Sequence, residues 1–241
     1  MGYSVAIDGP AGAGKSTIAK LVAKEKEFIY VDTGAMYRAM AIHFLRCGIK
    51  ADDSEKISAA VNDVNVTISY VNGEQQVFLN GENVTGMLRT EEVGNMASAS
   101  SVNGDVRKKL VELQRKLAAS ACVVMDGRDI GTVVLPNADV KVYLTASVEV
   151  RAQRRYKELI EKGQEADLEK IKKDIEERDY RDMNRDISPL RQAEDAILVD
   201  SSNMTIEENA RAIIELIDKN QAESCVIGSA KAIANAFVNE K

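Results

Sequence analysis

Short, nearly continuous apolar runs punctuate the chain, and longer polar-rich stretches with helical composition separate them. Tyr3 to Asp8 (YSVAID), Phe28 to Asp32 (FIYVD), Ala121 to Asp126 (ACVVMD), Val140 to Leu144 and Ala196 to Asp200 each read as a buried strand. Strands without a polar face belong to a parallel sheet covered by helices on both sides, so the expected class is α/β. One segment breaks the rhythm. Val64, Val66, Ile68 and Tyr70 alternate with Asn65, Thr67 and Ser69, Asn72-Gly73 leads into Gln76 to Asn80, and Asn80-Gly81 follows. Alternation of period two bounded by Asn-Gly predicts a small antiparallel insertion.

Glu149 to Asp186 is different again, with 23 charged residues in 38, and reads as a pair of solvated helices. After about Asn220 a small-and-apolar tail (CVIGSAKAIANAF) is compatible with one more helix and carries no assignable chemistry.

Composition narrows the class further. At 241 residues, with 45% apolar and 29% charged residues, the chain has the make-up of one large domain or one domain with an insertion, not of a fibrous or disordered protein. No apolar run approaches the roughly 18 residues that a membrane span needs. The N-terminus has neither the basic nor the apolar region of a secretion signal, so a cytoplasmic location is expected. Cys47, Cys122 and Cys225 are odd in number and widely spaced, which suits neither a disulfide framework nor paired zinc ligands. His43 is the only histidine and reads as an ordinary helix residue, so His-rich metal sites are excluded. A net charge of −6 argues against a basic nucleic-acid-binding surface; an anionic ligand must be met by locally concentrated Arg and Lys.

The strongest chemical signal is Gly9-Pro10-Ala11-Gly12-Ala13-Gly14-Lys15-Ser16, a G-x-x-x-x-G-K-[ST] motif directly after the first strand and opening a helix at Thr17. Glycines at this spacing let consecutive backbone N–H groups converge on phosphate oxygens, with the positive end of the next helix behind them. Lys15 is expected to reach the β and γ phosphates of ATP, and the Ser16 hydroxyl to ligate Mg²⁺. No Asn-Lys-x-Asp guanine reader occurs, which disfavours a GTPase. The strand ending at Asp126 runs into Gly127-Arg128-Asp129-Ile130-Gly131-Thr132, a loop of mixed charge suited to a polar substrate rather than to a motor ATPase.

GPAGAGKS, DTGAMYR at Asp32 to Arg38, DGRDIGTVV from Asp126 and ERDYRDMNR at Glu177 to Arg185 together resemble the bacterial cytidylate kinases, over about residues 1 to 220. The resemblance implies a P-loop NTPase-type parallel sheet flanked by helices. It further implies a nucleoside-monophosphate-binding insertion at about 60–100, a helical lid at about 151–186 and a core at about 1–60, 100–150 and 187–220, leaving 221–241 as a tail. The implied reaction moves the γ-phosphoryl group of ATP to CMP or dCMP, in a monomer with no nucleic-acid or membrane partner. Gly9, Gly12, Ala13, Gly14, Lys15, Ser16, Thr17 and Arg154 would hold ATP.

Arg38, Arg128 and Arg185 would grip the acceptor phosphate, with Thr33 beside them, and Arg178 and Asp182 would hold the ribose. Lys15, Arg128 and Arg185 would act on the transferring group. Arg178, Arg181, Asp182 and Arg185 lie at i, i+3, i+4 and i+7, so a helix puts all four on one face; spacing alone fits a solvated ion-pair stripe equally well. Ser98, Arg107 and Asp129 match the family positions that read the base, although without the resemblance Ser98 and Arg107 are unremarkable. A carboxylate facing N4 and donors facing N3 and O2 suit cytosine and oppose uracil. Arg151 and Arg154 are further candidates to approach ATP from the lid. A kinase for UMP, or a binding module whose arginines dock an acidic partner, remains the alternative on residues alone.

Overall fold

The computed structural model describes residues 2–238, with side chains to residue 223. Five parallel strands form the central sheet: β1 (Ser4–Asp8), β2 (Ile29–Asp32), β6 (Val123–Gly127), β7 (Val140–Thr145) and β8 (Ile197–Asp200). Their order is β2-β6-β1-β7-β8. All five strands expected from the apolar runs are present, within a residue or two of the expected bounds at each end. The inner strands β1 and β6 are buried on both faces, whereas Ile197 and Leu198 of the edge strand β8 are exposed. Ala6, Val31, Val123 and Met125 point into one core and Val5, Ile7, Tyr30, Val124 and Val142 into the other, as the period of two along a strand requires.

Helix α1 (Lys15–Glu25) and α8 (Ile206–Val238) cover the second core; α2 (Thr33–Arg46), α3 (Ser54–Val61), α4 (Glu91–Ser100) and α5 (Gly104–Ser120) build the first. The segment after Asn220 is therefore not a separate helix but the continuation of α8.

The antiparallel insertion consists of β3 (Val66–Val71), β4 (Glu74–Leu79) and β5 (Glu82–Asn83). Asn72 and Gly73 both have positive φ, 53° and 79°, as do Asn80 and Gly81, at 49° and 88°, so both Asn-Gly pairs make the turns their sequence predicts. Val64 falls outside β3, its N–H donating to Val61 in the turn that ends α3. The insertion is anchored to the sheet edge. The Gln75 amide accepts from Asp32 N at 2.9 Å and donates to Asp32 O at 3.2 Å, and the Tyr70 hydroxyl donates to Tyr30 O at 3.0 Å.

The charged stretch forms α6 (Val148–Glu161) and α7 (Leu168–Asn184), two helices as expected. Parallel register brings the carboxyl ends of β1, β6 and β2 into line, with Asp8 beside Gly127 and Asp32 beside Asp126. Crevices at that edge are where open α/β sheets bind ligands.

Candidate active site

A cavity of 750 Å³ opens at this edge. On one side lies the glycine-rich loop. Gly9 has φ 149°, and a Cβ there would lie 1.9 Å from the Leu144 carbonyl oxygen. It allows β1 to pass close to β7 and does not line the cavity, so its place in the motif is backbone clearance rather than ligand contact. Gly12, Ala13, Gly14, Lys15, Ser16 and Thr17 do line it. Gly14 is the N-cap of α1 with φ 89° and supplies no capping side chain, and no acidic residue lies in the first turn. The helix therefore presents uncapped N–H groups and its positive end to the cavity.

Lys15 is 5% exposed, and its Nζ donates to Pro10 O at 2.7 Å, folding the ammonium back over the loop. Burial, and then the neighbouring Arg128 charge, hold its pKa well below the usual lysine range. Ser16 Oγ donates to Asp126 Oδ2 at 3.0 Å, and the Tyr30 hydroxyl donates to Asp126 Oδ1 at 2.8 Å. Burial, reinforced by the charge on Asp32, pushes the Asp126 carboxyl up to about 6.

Opposite the loop, four separate elements deliver guanidiniums. Arg38 comes from α2, Arg107 from α5, Arg128 from the turn after β6, and Arg178 and Arg185 from α7 and its C-cap. All five line the cavity, together with Thr33, Ser98, Asp129, Asp182 and Arg154. Arg128 Nε pairs with Asp182 at 2.8 Å, and the Arg107 guanidinium is paired with the Asp129 carboxylate and lies 5.7 Å from the centre of the Tyr37 ring. Thr33 donates to the Asp126 carbonyl at 2.7 Å. Arg178 Nε and Arg185 Nη2 are buried with no hydrogen-bond partner, although Arg185 Nη2 lies 3.9 Å from Asp129 Oδ1.

Burial, and then the charges of Arg128 and Arg38, bring Arg178 down to about 10; burial also lowers Arg38 and Arg185, which face Arg89 and Arg107 respectively. Burial pulls the Asp182 carboxyl upward, but the charge and hydrogen bond of Arg128 together with the charges of Arg178 and Arg185 outweigh it, and the net shift is downward. Buried cations that depress one another and leave donors unused make a strong anion-binding site.

Two expectations need correction. Arg181 is exposed and turned away, its Nε directed at Glu177 O, so the cavity face of α7 carries Arg178, Asp182 and Arg185 only. Arg185 itself sits just past the helix in extended backbone, where Nε donates to Ser188 O at 2.6 Å. Arg151 lines the cavity beside the loop, where its guanidinium donates to Ala11 O and Ala146 O and pairs with Asp179 at 2.6 Å. Arg154 donates to Ser201 O at 2.6 Å, at the end of the cavity lined by Met204, Thr205, Ile206 and Asn209.

In the sequence Asp8, Tyr30 and Arg89 read as ordinary positions, and Asp126 as a strand end opening the DGRD motif with no role of its own. Asp126 could have been picked out from that motif; nothing local singled out Asp8, Tyr30 or Arg89. His43 lies on α2 away from the cavity. Cys47 and Cys122 are free thiols, and Cys225 lies outside the described side chains.

A phosphate loop at the end of a parallel strand, facing a nest of arginines across one cavity, defines a P-loop phosphotransferase acting on a phosphorylated acceptor. A family model described as Cytidylate kinase matches residues 5–219, and the chain belongs to that family. It is 50% identical to a cytidylate kinase from Caldicellulosiruptor saccharolyticus over 90% of this chain and 96% of that one. The cytidylate kinase from Bacillus subtilis is 45% identical over 90% of this chain and 96% of its own length. Among solved structures, an uncharacterized protein from Eubacterium ventriosum is similar with a TM-score of 0.50 at 12% identity, covering 90% of this chain and 98% of that one, a likeness of fold alone.

Proposed function

We propose that this chain transfers the γ-phosphoryl group of ATP to CMP and dCMP, giving ADP and CDP or dCDP. The observation that carries the reading is the convergence, in one cavity, of the glycine-rich loop with five arginines and the Arg107–Asp129 pair. The loop N–H groups and Lys15 hold the donor phosphates. Arg38, Arg128 and Arg185 hold the acceptor phosphate, Arg178 and Asp182 the ribose. Asp129 accepts from the cytosine N4 amino group, while Arg107 and Ser98 donate to N3 and O2. Uracil would set its O4 acceptor against the carboxylate and its N3–H against a donor, and unpaired groups in a buried site discriminate by factors on the order of 10⁴.

The acceptor is a phosphate oxygen already ionised near neutral pH, so no strong base is required. Rate comes from in-line positioning and from Lys15, Arg128 and Arg185 around the transferring group.

The residues present fit Mg²⁺. Ser16 and Asp126 form an all-oxygen pair, and among the described residues no cluster of three His, Cys, Asp or Glu side chains could hold a metal, which suits an ion carried chiefly by phosphate and water oxygens. When bound it would neutralise charge on the donor phosphates.

We read residues 1–220 as the kinase domain, 60–100 as the acceptor-binding insertion and 151–186 as the lid, in a cytoplasmic monomer. Among the described residues no helix is long and apolar enough to cross a membrane.

A coupled ADP-release assay with CMP, dCMP, UMP, AMP and shikimate tests the proposal. Turnover should be confined to the cytidylates, and a preference for UMP or shikimate would refute it.

A further inference from the structure

Asp8 is the last residue of β1, immediately before the glycine-rich loop, and is 5% exposed. Its carboxylate accepts from Ile130 N at 2.8 Å through Oδ1 and from Gly131 N at 2.7 Å through Oδ2. These two amides open the π-helical turn Ile130–Val134, and Arg128 and Asp129 are the residues directly before it. A Cβ on Gly131 would lie 3.1 Å from Lys141 Cδ and 3.4 Å from Asp8 Oδ2, so the turn is seated closely on this carboxylate. Burying a carboxylate is costly, and burial pushes Asp8 up to about 6 despite the two N–H bonds and the Lys15 charge. The fold nonetheless places it between the donor loop and the acceptor loop.

We infer that Asp8 is a positioning residue that fixes the Arg128–Asp129 loop to the root of the phosphate loop, setting acceptor binding and base choice without touching either substrate. The inference rests on the reading of Asp129 as the base reader. Two N–H donors in fixed geometry require an acceptor at both oxygens. Asp8→Asn preserves shape but turns an N–H group toward one of the two amides. The Asp129 carboxylate then loses its alignment while Gly12 to Ser16 keep theirs.

The test is steady-state kinetics on Asp8→Asn with CMP, UMP and ATP varied in turn. The loss of one buried charge-assisted contact should raise KM for CMP and lower the CMP-to-UMP ratio of kcat/KM by about tenfold each, with KM for ATP within about threefold of wild type. An unchanged CMP KM and ratio, or equal losses toward ATP and CMP, overturns the inference. If Asp8→Asn does not fold, Asp8→Ser carries the test, since its single short hydroxyl cannot serve both amides; it should give the same split, and a wild-type profile overturns the inference. Asp129→Ala runs in parallel: if that variant leaves the CMP-to-UMP ratio unchanged, the base-reader assignment fails, whereas a changed ratio there with none in Asp8→Asn defeats the positioning role alone.

Discussion

On the proposed reading, the donor side of the cavity and its acceptor side would bind the same kind of group by opposite means. The donor side is a contiguous stretch, Gly12 to Thr17, that works mainly through backbone N–H groups and a helix terminus. The acceptor side gathers five arginines from α2, α5, the turn after β6 and α7, and burial first, with the charges of neighbouring arginines second, lowers the pKa of Arg38, Arg178 and Arg185. Backbone dipoles are fixed by the fold and lose little entropy on binding. Clustered guanidiniums repel each other until an anion arrives, so stability is withheld in the free protein and recovered with the acceptor bound. On that reading, a phosphate every NTP carries is met by backbone groups, and a phosphate attached to one chosen base by side chains.

The two sides should therefore fail differently. Lys15→Ala removes the cation that the phosphate loop itself supplies, and kcat should fall on the order of 10³-fold or more while the melting transition persists. Near-normal turnover in that variant would remove Lys15 from the reaction.

On the acceptor side, Arg185→Ala should raise KM for CMP by roughly 10²-fold with little change for ATP, because a buried charge-assisted donor to phosphate is lost. Arg185→Lys keeps the charge but loses the planar fork, including the bond to Ser188 O, and should remain impaired. Wild-type behaviour of both with CMP would reduce this end of α7 to a solvated stripe.

Legibility divides along the same line. The donor loop could be read from eight consecutive letters because a backbone cradle needs its glycines and lysine adjacent in sequence. The five strands were equally readable, since a parallel sheet demands apolar residues on both faces. Arg107 and Ser98 had no local signature. They sit on helices α5 and α4, and only resemblance to a family marked them out. Helical spacing overstated the α7 face by one residue, because Arg181 is exposed and Arg185 has left the helix. Asp8 was invisible for a further reason, since its partners are backbone amides 122 and 123 residues away, which no side-chain pattern encodes.

Base choice offers a milder perturbation. Asp129→Ala removes both the acceptor for N4 and the repulsion toward O4, so the ratio of CMP to UMP specificity constants should shrink by on the order of tenfold or more. Rates measured with both nucleotides decide it, and an unaltered ratio would mean that the base is read elsewhere.

The smallest effect separates function from stability on the donor side. Asp126 titrates at about 6 in the folded chain, above the ordinary carboxylate value of 3.8. Between those values the folded state binds more protons than the unfolded chain, so stability falls as pH rises through that window and stays reduced above it. A shift of two units corresponds to about 3 kcal/mol, net of the bonds from Ser16 and Tyr30 that offset part of the burial. Asp126→Asn removes the buried charge and weakens those two bonds. At pH 7.5 the substrate-free variant should equal or exceed wild type in stability, by up to roughly 1 kcal/mol, even though its turnover drops. Below pH 4 the wild-type carboxyl is already protonated and the advantage should vanish. Asp8, also raised to about 6, is common to both proteins and cancels in the difference. Urea unfolding at the two pH values reads this directly; a variant destabilised equally at both would show that Asp126 serves the fold as much as the reaction.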